Sequence, residues 1–427
     1  METIIGLFCF GLSILIYLLL KGRFSFLLLW PYIIYGFGLI IAMYSLETGS
    51  LDFSNMLDER SIVLSMYYML SFLIIITLID FKFLSSNMIN KTMDPSKLAT
   101  IKRIVDSPIF LCYLFIHIIA FLILYYLSYR SGELNIGDYN YSELEMLRYW
   151  GPIAYLSENI ATLFLLFISR MMIYEKWTKS NLLTVILFLI FIVLRLSMGT
   201  RMFIIKIIGV TLIMFLIRYK KYWKVSLFAT TTLIVGNIVG YIRSGKALSE
   251  FDISQMFYSL NVEAYFNDLT LIVATNALAQ ENFIYQPGML LAIPLYSLPR
   301  FLVDRNEFIN LLYDRNLMLP FLSSAIESVS PVGAMSFLAD AIYAFGVFYW
   351  IFLMIVFTLI LSYIAKLKGS LQYFICYLLG AATLNLWRDS FFITFKIVFI
   401  HGIMNILLLL IIIKLLSRPI KQKNDSC

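Results

Sequence analysis

Residues 181–217 read NLLTVILFLIFIVLRLSMGTRMFIIKIIGVTLIMFLI. Two apolar runs flank the tight turn RLSMGTR, which is too short for anything but an antiparallel reversal. About 20 apolar residues are needed to cross a bilayer as a helix, and each run approaches that length. The stretch therefore reads as a transmembrane helical hairpin, and the rest of the chain repeats its pattern.

Of the 427 residues, 61% are hydrophobic and only 14% are charged, with 36 Phe and 28 Tyr. That composition excludes a soluble core. Eleven stretches qualify as spans: roughly 4–20, 24–46, 61–80, 108–128, 152–173, 181–198, 202–217, 225–242, 336–364, 371–388 and 391–413. The expected fold is all-α, one polytopic helical bundle over residues 1–427. The first apolar stretch has no basic residue before it and no clear cleavage site, so it reads as a span and not as a signal sequence.

Orientation follows from the loops that carry Lys and Arg. With the N-terminus outside, the inner segments 21–23, 81–107, 170–180, 218–224, 365–370 and 414–427 hold 20 Lys and Arg against four acids, whereas the outer segments are rich in Asp and Glu. The formal charge of +7 thus belongs to a cytoplasmic face matched to anionic lipid, and a nucleic-acid partner has no support. Cys9, Cys112 and Cys376 fall within spans and Cys427 in the inner tail, so no disulfide is expected. No metal-ligand spacing or cofactor motif is present, and His117 and His401 read as packed or hydrogen-bonded helix residues.

Five further cations fall inside spans: Arg195, Arg201, Lys206, Arg388 and Lys396. All lie at the outer ends of their spans. A positive charge at bilayer depth costs at least ~2.5 kcal/mol, and snorkelling to headgroups accounts for one or two such residues more readily than for five on the acidic face. An anionic ligand accounts for the group.

Residues 243–335 form a large outer loop with Arg243, Lys246, Arg300, Arg305, Arg315 and nine acids. It is too apolar for disorder. Residues 251–280 read as an amphipathic helix, and QPGMLLAIPLYSLPRF as an interfacial or re-entrant segment. The loop is expected to cap the outer end of the bundle.

Four pieces occur in order from about residue 190: the SxGTR-like turn (Ser197, Gly199, Thr200, Arg201); IPLYSLPRF with Pro299 and Arg300; SPVGAMSFLADAIYAFGVFYW with Gly333, Asp340, Tyr343, Phe345 and Gly346; and WRDSFF with Arg388 and Asp389. In that order the C-terminal half resembles the Wzy-type oligosaccharide repeat-unit polymerases of O-antigen and capsule clusters. The family's Pro-Arg motif commonly continues into a Trp-Pro-x-Lys-Pro-like run where this chain has LVDRNEF, so the resemblance assigns no role to Arg305.

The resemblance implies a GT-C-like enzyme of the bacterial inner membrane, its site facing the periplasm. It would transfer a growing glycan from undecaprenyl pyrophosphate to a new lipid-linked repeat unit, without a metal or cofactor, beside a separate chain-length regulator. Arg201, Arg300 and Arg388 are the implied catalytic cations; Arg195, Arg243, Lys206, Asp340 and Tyr343 the implied substrate-binding residues. Each has a plainer alternative. Arg201 can anchor the hairpin to headgroups, Arg300 can pair with Asp304 at i+4 for ~0.5 kcal/mol, and Arg388 adjoins Asp389 and Ser390. Glu158, Glu327 and Asp340 lie at the level of the cations as possible proton acceptors, with pairing to a cation the commoner fate of such acids. Tyr139, Tyr141, Tyr149, Trp150, Tyr258, Tyr265 and Tyr285 could stack on sugars or form an interfacial belt.

Three other functions fit parts of this pattern. An O-antigen ligase shares the plan and differs in acceptor. A lipid-linked oligosaccharide flippase would spread its cations along a path and show two similar halves. A glycosyltransferase using a polyprenyl monophosphate sugar would draw on acids of the first outer loop, here Asp58 and Glu59. The orientation is checked by Ser249→Cys and Ser96→Cys: an impermeant thiol reagent applied to intact spheroplasts should label position 249 and not 96, and equal labelling overturns the topology.

Overall fold

The computed structural model describes residues 2–21, 23–49, 57–84, 99–130, 151–173, 178–197, 201–219, 253–279, 336–389 and 391–416, with a few single positions between them. Among these the chain is all-helical. In chain order the helices are α1 Glu2–Leu19, α2 Phe24–Leu28, α3 Tyr32–Tyr35, α4 Gly38–Thr48, α5 Glu59–Phe83, α6 Ala99–Val105, α7 Pro108–Arg130 and α8 Gly151–Ile173. Then come α9 Lys179–Ser197, α10 Arg201–Tyr219, α11 Ile253–Leu278, α12 Phe337–Phe345, α13 Tyr349–Lys366, α14 Gly369–Asp389 and α15 Phe391–Phe395. A π-helix, Lys396–Met404, leads from α15 into α16, Asn405–Leu416.

Five helical stretches among the described residues are long and apolar enough to cross a membrane: Glu59–Phe83, Pro108–Arg130, Gly151–Met172, Phe337–Lys366 and Lys396–Leu416. Their outward faces carry Leu, Ile and Phe, such as Leu78, Ile116 and Leu359, as a lipid-facing surface requires. The protein is a helical membrane protein. The hairpin read at 181–217 is present as α9 and α10, while the expected span 225–242 lies outside the described residues.

Two expected spans are not single helices. Residues 24–46 form α2, α3 and α4, broken around Trp30-Pro31 and Gly36-Phe37. Pro31 has no N–H to continue a helix, and the interruption is tolerated because it is buried in protein. The Trp30 indole donates to the Gly380 carbonyl at 2.7 Å. A Cβ at Gly209 of α10 would lie 2.2 Å from the Trp30 ring, and one at Gly380 of α14 would lie 2.8 Å from Leu27. Glycine on both neighbours thus opens the slot into which the broken segment fits, as small residues do between membrane helices. The second case is 336–364, where α12 ends at Gly346 with φ +56° and a short 3-10 turn leads into α13. A side chain there would be strained.

A third difference concerns α11. The helix forms where the pattern predicts, but from Ala264 to Ala277 nearly every described residue is buried, and the helix packs against α3, α4, α5 and α12. Over that stretch the amphipathic helix lies inside the bundle. Two of its threonines meet neighbouring segments: Thr275 Oγ1 is 3.1 Å from Ser65 Oγ and donates to Ser61 O at 3.2 Å, and Ser336 N donates to Thr270 Oγ1 at 3.1 Å. A polar face that bonds to neighbouring helices mimics in sequence a face meant for water.

The opposite end is braced by ion pairs. Arg23 donates through Nε to Asp80 and through Nη2 to the carbonyls of Asp80 (3.1 Å) and Leu84 (2.9 Å), while Ser25 donates to Asp80 Oδ2 from N (3.0 Å) and Oγ (2.6 Å). Arg170 pairs with Asp106 through Nε at 2.9 Å and Nη2 at 3.2 Å. Two cations that count toward the basic face in sequence therefore tie α2 to α5 and α8 to the α6–α7 connection. Removing one partner of a buried pair costs about 3–5 kcal/mol. Asp80→Ala should lower the thermal midpoint of the detergent-solubilised protein sharply, whereas Lys82→Ala, at an exposed neighbour, should leave it near the wild-type value.

Candidate functional site

The described cations of the sequence reading gather at the end of the bundle where α9 meets α10 and α14 meets α15. Glu158 decides their arrangement. It lies seven residues into α8, about 10 Å from the start of the helix at 1.5 Å per residue, and a carboxylate at that depth needs a partner. Lys396 Nζ donates to its Oε2 at 2.9 Å, and His401 Nε2 lies 2.7 Å from the same oxygen.

The π-helix makes this convergence possible. At 100° per residue, side chains five apart on an α-helix point about 140° away from each other. In the i→i+5 register of a π-helix they lie one turn apart on nearly the same face. Lys396 and His401 are five apart, and the π segment runs from Lys396 to Met404. The ring of Phe395 stacks on that of Phe399 at 5.4 Å beside them.

From His401 a chain of polar groups continues deeper into the bundle. Its Nδ1 is 2.7 Å from Asn159 Oδ1; Asn405 Nδ2 donates to Asn159 O at 3.4 Å; Tyr113 OH donates to Asn405 Oδ1 at 2.7 Å; and His117 Nδ1 is 2.8 Å from Tyr113 O. Tyr155 covers the His401 ring at 5.0 Å. Buried polar groups joined this way fix the relative heights of α7, α8 and the π-helix.

The neighbouring helices add two more cations. The Arg195 guanidinium sits over the rings of Phe121 (4.9 Å) and Phe191 (5.4 Å) and interacts electrostatically with Glu158. Buried Lys206 interacts in the same way with His401. Lys396 thus contacts Glu158 directly, Arg195 of α9 acts on it through the field, and Lys206 of α10 acts on His401 beside it. The Glu158 side chain is nevertheless 42% exposed and that of Lys396 30%, while the flanking Ser157 and Asn159 are buried. Both charged groups of the pair thus keep part of their side-chain surface accessible.

Asp340 has a backbone partner. Buried on α12, it accepts the Phe391 backbone N–H at 3.0 Å through Oδ2, so it satisfies one of the free donors at the start of α15. Tyr343 is buried one turn further along the same helix. Arg388 is half-buried at the C-terminal end of α14, next to the junction that Asp340 holds. Arg201 is the first residue of α10, with its side chain outside the description. Arg243, Arg300, Arg305, Glu327, Tyr139, Tyr141, Tyr149 and Trp150 lie outside the described residues.

The acids that a monophosphate-sugar transferase would use have structural partners. Asp58 caps α5 by accepting from Ser61 N at 3.1 Å, and Glu59 accepts from Thr3 Oγ1 at 2.6 Å. Sequence reasoning named Glu158 among the acids near the cations and gave pairing as its commoner fate, and Glu158 is paired with Lys396; it passed over His401 and Asn405 as members of the site. The available signal was the spacing Lys396, His401, Asn405 opposite the polar pair Glu158-Asn159.

No family model matches the chain, and no curated protein or solved structure is significantly similar to it. Fold and site define a class: an all-helical membrane protein with a cluster of cations built around a carboxylate inside its bundle.

The role of Asp340 is separable by substitution. Asp340→Ala leaves a buried N–H without a partner, which costs about 1–3 kcal/mol, and should lower the thermal midpoint. Asp340→Asn keeps an acceptor oxygen and should stay close to wild type in both stability and cellular function; loss of function at wild-type stability would mean that the charge is needed for more than capping.

Proposed function

We propose that this protein is a polysaccharide polymerase of the bacterial inner membrane, with about eleven spans in a GT-C-like plan. It takes a growing glycan from undecaprenyl pyrophosphate and transfers it to a new lipid-linked repeat unit at the periplasmic face. The observation that carries this reading is the bringing together of Arg195, Lys206 and Lys396 within the bundle around Glu158 and His401. A hydroxyl of the incoming unit attacks the anomeric carbon, the bond from that carbon to the pyrophosphate oxygen breaks, the lipid pyrophosphate leaves with the electron pair, and the hydroxyl's proton passes to an oxygen of that departing group. Preorganised cations stabilise the charge that develops on the departing group. Arginine suits the task because it stays protonated and presents a planar fork to phosphate oxygens.

The order of the four C-terminal motifs supports the same reading. The structural uses found for Asp58 and Glu59 weaken the monophosphate-donor alternative. A chain-length regulator is the expected protein partner, and membrane lipid the surrounding one.

Deleting the gene should leave surface glycans capped by a single repeat unit, with export and attachment intact. A ligase deletion would lose attachment while lipid-linked polymer accumulated, and a flippase deletion would block export; full-length surface polymer in the deletion strain removes the polymerase reading. In the complemented strain Arg201→Ala and Arg300→Ala should each reduce polymer formation about 10²–10³-fold at normal protein level. Arg305→Ala and Lys97→Ala should have little effect.

A further inference from the structure

Two groups on one π-helix meet on a single oxygen of Glu158: Lys396 Nζ donates to it at 2.9 Å, and His401 Nε2 lies 2.7 Å from it. No hydrogen bond to the other oxygen, Oε1, occurs among the described residues. Side chains whose only task is to brace two helices are normally shut away from solvent, as Arg23–Asp80 is, with its side chains 9% and 0% exposed. Glu158 and Lys396 are open instead, at 42% and 30%. The carboxylate therefore stays accessible while it holds Lys396, in the position an incoming anion would take.

We infer that Glu158 is a displaceable internal counter-ion: it occupies a phosphate-binding site formed by Lys396, His401, Lys206 and Arg195, and it yields that site to the terminal phosphate or diphosphate of a lipid. The ligand class rests on the polymerase reading; the geometry of the site does not. A carboxylate offers two oxygens and one negative charge, whereas a diphosphate offers more of both and can engage donors from the π-helix, α9 and α10 together. Glu158 is long enough to swing aside about its side-chain torsions. While empty, the site keeps one carboxylate against its three cations, which lowers part of the cost of holding them at bilayer depth. The carboxylate also sets a threshold, because a ligand must outcompete it to enter.

The sign of one substitution separates this role from a simple brace. A site occupied by its own counter-ion nine-tenths of the time binds about tenfold more weakly than its intrinsic affinity. Glu158→Gln should therefore tighten binding of a diphosphate about tenfold, while Lys396→Gln weakens it by at least as much. If Glu158 only positions Lys396 and His401, removing its charge disorders them, and Glu158→Gln weakens binding as well.

The experiment uses the full chain in phosphatidylcholine nanodiscs, titrated calorimetrically with farnesyl diphosphate and separately with a short-chain phosphatidylglycerol. Glu158→Asp is the second variant. It keeps the charge but shortens the reach by one methylene, so it tightens binding less than Gln does and decides the matter if the Gln variant fails to fold. Tightening toward farnesyl diphosphate supports the inference with an isoprenoid ligand, and tightening toward phosphatidylglycerol alone supports it with an ordinary lipid headgroup. Unchanged or weaker binding of both ligands by folded Gln and Asp variants overturns it. That failure is distinct from failure of the polymerase reading, which is decided by the glycan profile of the deletion strain.

Discussion

Holding several positive charges inside a membrane bundle requires negative charge in the right place, and here Glu158 supplies it. Without that carboxylate, Lys396 and its neighbours would carry the full cost of leaving water, a cost the protein can lower but not remove. With it, α8, the π-helix, α9 and α10 acquire a common centre, and the polar chain through Asn159, Asn405 and Tyr113 follows from the same contact. The contrast with the opposite end is informative. Arg23–Asp80 and Arg170–Asp106 have further hydrogen-bond partners or a bidentate grip. Around Glu158 the cations outnumber the contacts that the carboxylate makes, and the pair stays open.

The π-helix is the local device that makes this geometry available. Regular α-helical continuation from Phe395 would point His401 away from Glu158, leaving an imidazole facing lipid or apolar packing. The nine-residue π segment is longer than the single-turn bulges by which the π form usually occurs. Its irregularity falls at the residues whose convergence the site needs, as expected where a functional constraint overrides ordinary helix geometry.

Much of the fold was legible because lipid imposes a simple rule: each backbone group is satisfied within its own segment, so apolar runs become helices. The hairpin at 181–217, the long helices at 59–83 and 108–130, and the helical nature of 253–278 all follow from hydropathy and turn residues. The failures have one cause. A broken span and an unbroken one have the same hydropathy, so the Trp30-Pro31 interruption and its slot between Gly209 and Gly380 were invisible. A polar helix face that meets other helices has the same pattern as one that meets water, so the amphipathic pattern of α11 did not show that its 264–277 stretch is buried. For the site, sequence placed the cations at one level and named Glu158 among the acids there. It could not show that Lys396 and not Arg388 is the partner, or that His401 joins them, because both facts depend on a π register that no residue pattern announces. Asp340 carried a functional expectation from its motif, and its backbone contact with Phe391 explains its burial without a ligand.

The account stands or falls on whether Glu158 and Lys396 pair across α8 and the π-helix. A charge-reversal cycle measures this directly: Glu158→Lys, Lys396→Glu and the double reversal, each compared with wild type by the thermal midpoint of the protein in nanodiscs. Residues in direct contact couple by about 0.5–3 kcal/mol. Each single reversal should destabilise strongly and the double reversal should recover a large part of the loss, whereas a double variant whose loss equals the sum of the single losses would show that the two side chains do not meet.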